Sequence, residues 1–271
     1  MRVGCVGLCS GDEVAANVAD ASRLIREAHA QGAVLVATPE MTSLMDQRSG
    51  ALMQKARSEE EDEALPAFRL LAAELRIWLL IGSLPIKISE TRFANRSYLL
   101  DPEGDISATY DKIHMFDVDI DDGQTYRESS KFKPGDRAVV ARTALGDVGL
   151  TICYDLRFPY LYRALAKAGA EFIFIPAAFT KVTGEAHWEV LVRARAIETG
   201  AFVLAPAQGG KHMDGRETFG HSLIVGPWGE ILAQGGTAPG VIVADLDRGA
   251  VRAVRRRIPA LRHDRAFLPP A

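Results

Sequence analysis

Short β-branched apolar runs alternate with amphipathic stretches throughout this chain. Arg2 to Cys9 reads as a strand; Val14, Val18, Ala21, Leu24, Ile25 and Ala28 then recur at helical spacing before Gly32 stops the helix. Val34 to Ala37 is a buried strand that ends at Thr38-Pro39-Glu40, because proline cannot donate to a ladder. A charged stretch, Ser58 to Glu63, leads into a helix over Pro66 to Arg76 and a strand over Ile77 to Gly82. Asn95 to Leu100 and Ile106 to Tyr110, joined by the turn Asp101-Pro102-Glu103-Gly104, form a hairpin that runs into Asp111-Lys112. Asp121 to Gly135 is polar and aperiodic, a loop over the sheet edge. Val148 to Ile152 is a strand ending at Cys153, followed by a helix with Pro159 in its first turn. The second half repeats the rhythm: strand Glu171 to Ile175, helix His187 to Glu198, and strands at Phe202 to Ala205, Ser222 to Val225, Glu230 to Ala233 and Val241 to Asp245.

This alternation predicts an α/β layered architecture with helices covering sheets. No linker or low-complexity segment divides the 271 residues, so a single domain over 1–271 is expected. No apolar run reaches the ~20 residues of a bilayer-spanning helix, and the first residues lack the features of a secretory signal; a cytoplasmic protein without a membrane partner is expected. With 32 basic and 35 acidic residues the net charge is -3, which offers no global field for nucleic acid. Arginines do gather at Arg248, Arg252, Arg255, Arg256, Arg257 and Arg262, as a solvated helix face or a docking tail. Three cysteines, an odd number, argue against a disulfide framework and leave each thiol to be judged singly.

Glu40, Lys112 and Cys153 each close a strand, and strand ends are where α/β sheets gather reactive groups from distant parts of the sequence. Together they make chemical sense. A thiolate attacks, a carboxylate takes its proton, and an ammonium holds the carboxylate ionised and later faces a tetrahedral oxyanion. At a sharp strand-to-helix turn the Tyr154 backbone N–H would be a second oxyanion donor.

The motifs Thr38-Pro39-Glu40-Met41, Tyr110-Asp111-Lys112-Ile113-His114 and Ile152-Cys153-Tyr154-Asp155-Leu156-Arg157-Phe158-Pro159 resemble the nitrilase or carbon–nitrogen hydrolase superfamily. The likeness extends through Gly184 to Glu189, Arg193 to Glu198, Gly220-His221-Ser222 and Pro227-Trp228-Gly229-Glu230. It implies a four-layer αββα sandwich, a homodimer packed through helices, and a hydrolase of linear amides that needs no cofactor and no metal. It also implies Glu40 as general base, Lys112 as stabiliser of the tetrahedral intermediate, Cys153 as nucleophile and Glu128 as a supporting second glutamate. Within the superfamily the chain is most similar to the Nit-type amidases, and the stretches Ala207 to His212 and Phe219 to Ser222 tilt the expectation towards deaminated glutathione as substrate. An ω-amidase acting on 2-oxoglutaramate or succinamate, an N-carbamoyl amine hydrolase and a catalytically silent scaffold are the competing readings. Two stretches depart from the pattern or vary within the group, Asp121 to Thr125 and Thr180-Lys181-Val182. The carboxylate on such a substrate requires a cation, and Arg157, Lys181 and Lys211 are the candidates.

Other signals carry less. Cys5 and Cys9, four apart on one strand face, read as core thiols. His114, Asp117 and Asp119 have the residue types of metal ligands, but the resemblance implies a shaping role for this loop without metal, and Gly209-Gly210-Lys211 lacks the leading glycine of a phosphate loop.

Overall fold

In the computed structural model, which describes residues 1–46, 48, 50–120, 125–268 and 270, the strands gather into two six-stranded sheets. The first runs Gly240–Asp245, Arg2–Gly7, Leu35–Ala37, Trp78–Lys87, Phe93–Leu100, Ile106–Asp111. The second runs Ile231–Gln234, Leu223–Val225, Phe202–Ala205, Phe172–Phe174, Gly146–Leu150, Val139–Thr143. Each sheet has three adjacent parallel strands, Arg2–Gly7 with Leu35–Ala37 and Trp78–Lys87, and Gly146–Leu150 with Phe172–Phe174 and Phe202–Ala205. Antiparallel strands flank both sets.

Period-two alternation decides which layer each side chain joins. Val3, Cys5, Leu35, Ala37, Leu80 and Leu99 face a core shared with the second sheet. Val6, Val36, Leu79, Ile81, Tyr98 and Leu100, one residue out of phase, pack with the helices Val14–Ala30 and Ala64–Leu75. The helices Pro159–Lys167 and Lys181–Thr199 pack with the second sheet, completing an αββα sandwich.

Several elements differ from the sequence reading. The helix expected from His187 begins at Lys181, because Thr180 caps it by accepting from the Thr183 N–H at 3.3 Å. The strand before Cys153 is Gly146–Leu150, and Val139–Thr143 beside it was not anticipated. Of the stretch read as a loop, residues 121–124 lie outside the described residues, while Thr125–Arg127 pairs antiparallel with Asp117–Asp119 and Glu128–Ser130 forms a 3₁₀ turn. Cys9 lies beyond the end of its strand, half-buried, with its Sγ donating to the Lys211 carbonyl at 3.5 Å, so it does not share a core face with Cys5. The arginine-rich end forms the helix Gly249–Arg257, docked by Arg255 on the carbonyls of Thr199 and Ala170 and by Arg257 stacked 4.4 Å from the Trp228 ring. No helix among the described residues is long and apolar enough to cross a membrane.

Candidate active site

Glu40 follows the strand Leu35–Ala37 and Cys153 follows Gly146–Leu150, both at the carboxyl ends of parallel strands; Lys112 follows the antiparallel Ile106–Asp111. The turn carrying Glu40 is tight. Gly82 N–H donates to Thr38 Oγ1 at 3.0 Å, Thr42 Oγ1 donates to the Pro39 carbonyl at 2.7 Å, and a Cβ on Gly82 would stand 2.1 Å from the Thr38 oxygen. Only glycine lets the strand Trp78–Lys87 run so close. Met41, at φ +55°, and Cys153, at φ +49°, occupy the left-handed region, a strained conformation for residues with side chains that concentrates at functional sites.

The Asp155 carboxylate, fully buried, locks the cysteine turn. It accepts from the Ile152 N–H at 2.9 Å, from Tyr110 Oη at 2.6 Å and from the His114 N–H at 3.0 Å, with His114 Nδ1 at 2.6 Å. Tyr110 and His114 bracket Lys112, so one carboxylate joins the nucleophile's turn to the lysine's strand.

Glu40 and Lys112 are 5% and 2% exposed, and Cys153 is 7% exposed. Lys112 Nζ donates to Glu40 Oε1 at 2.8 Å and to both Glu128 oxygens at 3.0 and 2.8 Å. Asn95 Nδ2 donates to the same two carboxylates, at 2.9 and 3.1 Å. The Ala178 N–H holds Glu40 Oε2 at 3.0 Å, and the Phe116 N–H holds Glu128 Oε2 at 2.7 Å. Burial works to raise the Glu40 carboxyl, but the Lys112 ammonium and hydrogen bonds from Lys112, Cys153 and Asn95 outweigh it, and the group lies below the usual glutamate range. Burial likewise works to lower Lys112, and the charges of Glu128 and Glu40 more than reverse it. The Cys153 thiol lies well above the ordinary cysteine range, first through burial and then through the Glu40 charge, with Lys112 and the Ala178 N–H opposing. The resting nucleophile is therefore a neutral thiol that donates to an ionised Glu40.

These groups open into a cavity of about 280 Å³ lined by Glu40, Lys112, Glu128, Cys153 and Tyr154, with Phe116, Tyr126, Phe179 and Met41 among its apolar walls. Tyr154 follows Cys153 in a 3₁₀ turn, Cys153–Arg157, whose first amides have no carbonyl within the turn to bond. The Cys153 N–H is already used, donating to the Pro176 carbonyl at 2.9 Å. The three cations expected for a substrate carboxylate do not line the cavity. Arg157 lies behind its wall, its guanidinium 5.5 Å from the Phe179 ring and 3.2 Å from His187 Nδ1. Lys181 is exposed and pairs with Glu217 at 3.3 Å, and Lys211 is exposed on the hairpin strand Gly209–Lys211. The cations that do line it, besides Lys112, are Arg127, Lys131 and Arg216. Sequence reasoning missed Asn95 and Arg216. A polar residue inside the apolar strand Phe93–Leu100 was the available signal for the first; the second sits in a polar turn that reads like any surface loop. Among the described residues no group of three His, Cys, Asp or Glu side chains could hold a metal ion.

An αββα sandwich with a thiol, a carboxylate and an ammonium gathered at its strand ends has the chemistry of an acyl-transferring hydrolase. Comparison with known proteins places it. The carbon-nitrogen hydrolase family model matches residues 2–256. The chain is 41% identical over 267 residues to the deaminated glutathione amidase of Yersinia enterocolitica, covering 97% of this chain and 93% of that protein. To the deaminated glutathione amidase of Homo sapiens it is 38% identical over 257 residues, covering 93% and 78%. Among solved structures, NitFhit of C. elegans superposes with a TM-score of 0.91 at 33% identity, over 97% of this chain and 65% of that one. An amidase from Nesterenkonia sp. AN1, with acrylamide added at its active site cysteine, has a TM-score of 0.80 at 27% identity over 96% and 98%. The chain belongs to the carbon–nitrogen hydrolase family, and it is a hydrolase of C–N bonds other than peptide bonds.

Proposed function

We propose that this protein cleaves the amide of a small carboxylate-bearing substrate of the deaminated glutathione type, through a thioester on Cys153. The observation that carries the reading is Glu40 held between Lys112, Asn95 and the Ala178 N–H and lining the same cavity as the Cys153 thiol. In the first half-reaction the Cys153 proton passes to Glu40 as sulfur bonds to the amide carbon. Lys112 Nζ and the Tyr154 N–H face the resulting oxyanion. The C–N bond then breaks as Glu40 returns the proton to the departing nitrogen, and amine or ammonia leaves. In the second half, Glu40 takes a proton from water, the hydroxyl adds to the thioester, the C–S bond breaks and the proton returns to sulfur, releasing a carboxylic acid. Glu128 keeps Lys112 aligned through both halves.

Relatives from Yersinia enterocolitica, Synechocystis sp. and Mus musculus, at 41%, 39% and 37% identity, are named for deaminated glutathione, which favours that substrate over 2-oxoglutaramate, succinamate or an N-carbamoyl amine. The free thiols Cys5, Cys9 and Cys153 accord with a reducing, cytoplasmic setting, and exposed apolar side chains on the helix Lys181–Thr199 accord with a homodimer. The test is acid and amine release from a panel of deaminated glutathione, 2-oxoglutaramate, succinamate, an N-carbamoyl amine and simple amides, with Cys153→Ala as blank. Cys153-dependent release that is fastest from deaminated glutathione is the expected result; release unaffected by Cys153→Ala would remove the nucleophile, and preference for a carbamoyl amine would remove the substrate class.

A further inference from the structure

Arg216 lies in the turn that joins the hairpin strands Gly209–Lys211 and Glu217–Phe219, and it lines the same cavity as Cys153. Its guanidinium is fixed from two sides. Nη2 donates to the Ala178 carbonyl at 2.7 Å, and the group stacks 5.7 Å from the centroid of Tyr126, another cavity wall. Yet Nε, shut off from solvent, has no hydrogen-bond partner among the described residues, and no carboxylate among them pairs with the side chain. A guanidinium that only braced a loop would spend its donors on that loop, since buried donors are nearly always satisfied.

The other cations at the cavity are differently engaged. Lys112 is held by two glutamates, and Arg127 is held by both Asp119 oxygens at 2.8 Å and bonds the carbonyls of Val118 and Tyr126. Lys131 is a flexible point charge, whereas Arg216 is a planar fork already anchored at one nitrogen, which matches a carboxylate in shape as well as charge. The anchor also sets distance. Ala178 binds Arg216 through its carbonyl and Glu40 through its N–H, so the cation and the base are one residue apart on the same wall.

We propose that Arg216 is the specificity residue that receives the carboxylate of the amide substrate, and that it thereby selects acidic amides over neutral ones of equal size. The inference rests on the amidase reading above. The carboxylate could belong to the acyl part or to the departing amine, and two substrate pairs separate these. Succinamate against butyramide tests an acyl carboxylate; an N-acylglycine against the corresponding N-acylglycinamide tests one on the leaving group.

The experiment measures kcat/KM for both pairs in the intact protein and in Arg216→Gln, Arg216→Lys and Lys131→Gln. Arg216→Gln should cut the acidic-to-neutral ratio of one pair by about 10- to 150-fold, the range of a hydrogen bond to a charged group, with partial recovery in Arg216→Lys. A ratio that is unchanged, or that falls equally in Lys131→Gln, overturns the proposal, and so does an intact protein that hydrolyses both neutral amides as well as the acidic ones. Alkylation of Cys153 by iodoacetamide, with and without succinate, gives a second readout that needs no turnover. Succinate should protect the intact protein and not Arg216→Gln. Protection without any amide hydrolysis would sink the amidase reading and keep the carboxylate site; hydrolysis of neutral amides without protection would do the reverse.

Discussion

Lys112 carries the electrostatics of the site, because one buried ammonium faces the buried Glu40 carboxylate, the partly buried Glu128 and the Cys153 thiol. The lowered Glu40 contributes stability that is present above the ordinary glutamate range and is lost as pH falls through its depressed folded value. The raised Lys112 contributes stability present below the ordinary lysine range and lost as pH rises through its elevated one. Between about pH 5 and 8 this cluster should therefore leave stability flat, and above the ordinary cysteine range the raised Cys153 thiol should make stability fall with pH. Lys112→Gln changes the sign of that behaviour. It strands the buried Glu40 carboxylate without a cation, at about 3–5 kcal/mol near pH 8, and Glu40 then favours protonation, so the variant should regain stability as pH falls from 8 to 5. Urea unfolding at the two pH values checks this; equal losses at both would mean that the Glu40 carboxylate is solvated when the lysine is gone. Glu40→Gln separates chemistry from reactivity. It removes the charge that holds the thiol neutral while leaving Lys112, so the pH midpoint of Cys153 alkylation should move down even as amide turnover falls by about 10²–10⁴-fold. A midpoint that rises or stays would take Glu40 away from the thiol. Cys5, fully buried, should alkylate only on unfolding.

Among the elements, the crossing of Trp78–Lys87 beneath the Glu40 turn is the least forgiving contact. Gly82→Ala would drive a methyl into two backbone carbonyls, at 2.1 and 2.3 Å, and should cost about 3 kcal/mol, a fall in Tm of roughly 6–12 °C, together with activity. Gly236→Ala, where nothing lies within 4 Å, is the matched control and should stay within about 0.5 kcal/mol. Calorimetry of the pair decides whether backbone proximity or glycine flexibility is at stake. The same contrast explains what could be read in advance. Glu40, Lys112 and Cys153 were legible as candidates because each follows a strand, whose end is visible in one dimension, and their roles came from the motifs that resemble the superfamily. Asn95 was not, since its role depends on two carboxylates 55 and 33 residues away meeting at one amide. Nor could the sequence distinguish Arg216 from Lys181 and Lys211: all three lie in polar segments, and which cation turns inward depends on the hairpin and on the Ala178 carbonyl that receives it. Short strands such as Val139–Thr143 and Gly209–Lys211 escaped because three to five residues carry too little periodicity to separate them from loop.

For the molecule as a whole, the outer face of the helix Lys181–Thr199 is the feature that the sandwich leaves unexplained. Thr183, Trp188, Val192 and Ala196 face inward, whereas Val182, Val190 and Ile197 stand 48%, 68% and 57% exposed at offsets of eight and seven, one stripe along the helix. Tyr160, on the packed neighbouring helix Pro159–Lys167, is 65% exposed. Single exposed apolar side chains are ordinary on soluble proteins, but a stripe of three along one helix has the composition of an interface core. A two-fold dimer would use it twice, pairing the stripe with its copy. Because His114 Nε2 lies 2.5 Å from Tyr160 Oη and His114 Nδ1 lies against Asp155, such a dimer would press on the same carboxylate that fixes the Cys153 turn. The expected result is a light-scattering mass of twice the chain, a Tm that rises with protein concentration, and a shift to monomer in Val190→Lys. If the monomer forms and keeps full amide turnover, the face assembles the protein without tuning its site. If turnover falls while Cys153 still alkylates at the parent rate, the path from Tyr160 through His114 to Asp155 does not account for the loss. A fall in both, restored at high protein concentration, would join assembly to catalysis through that path.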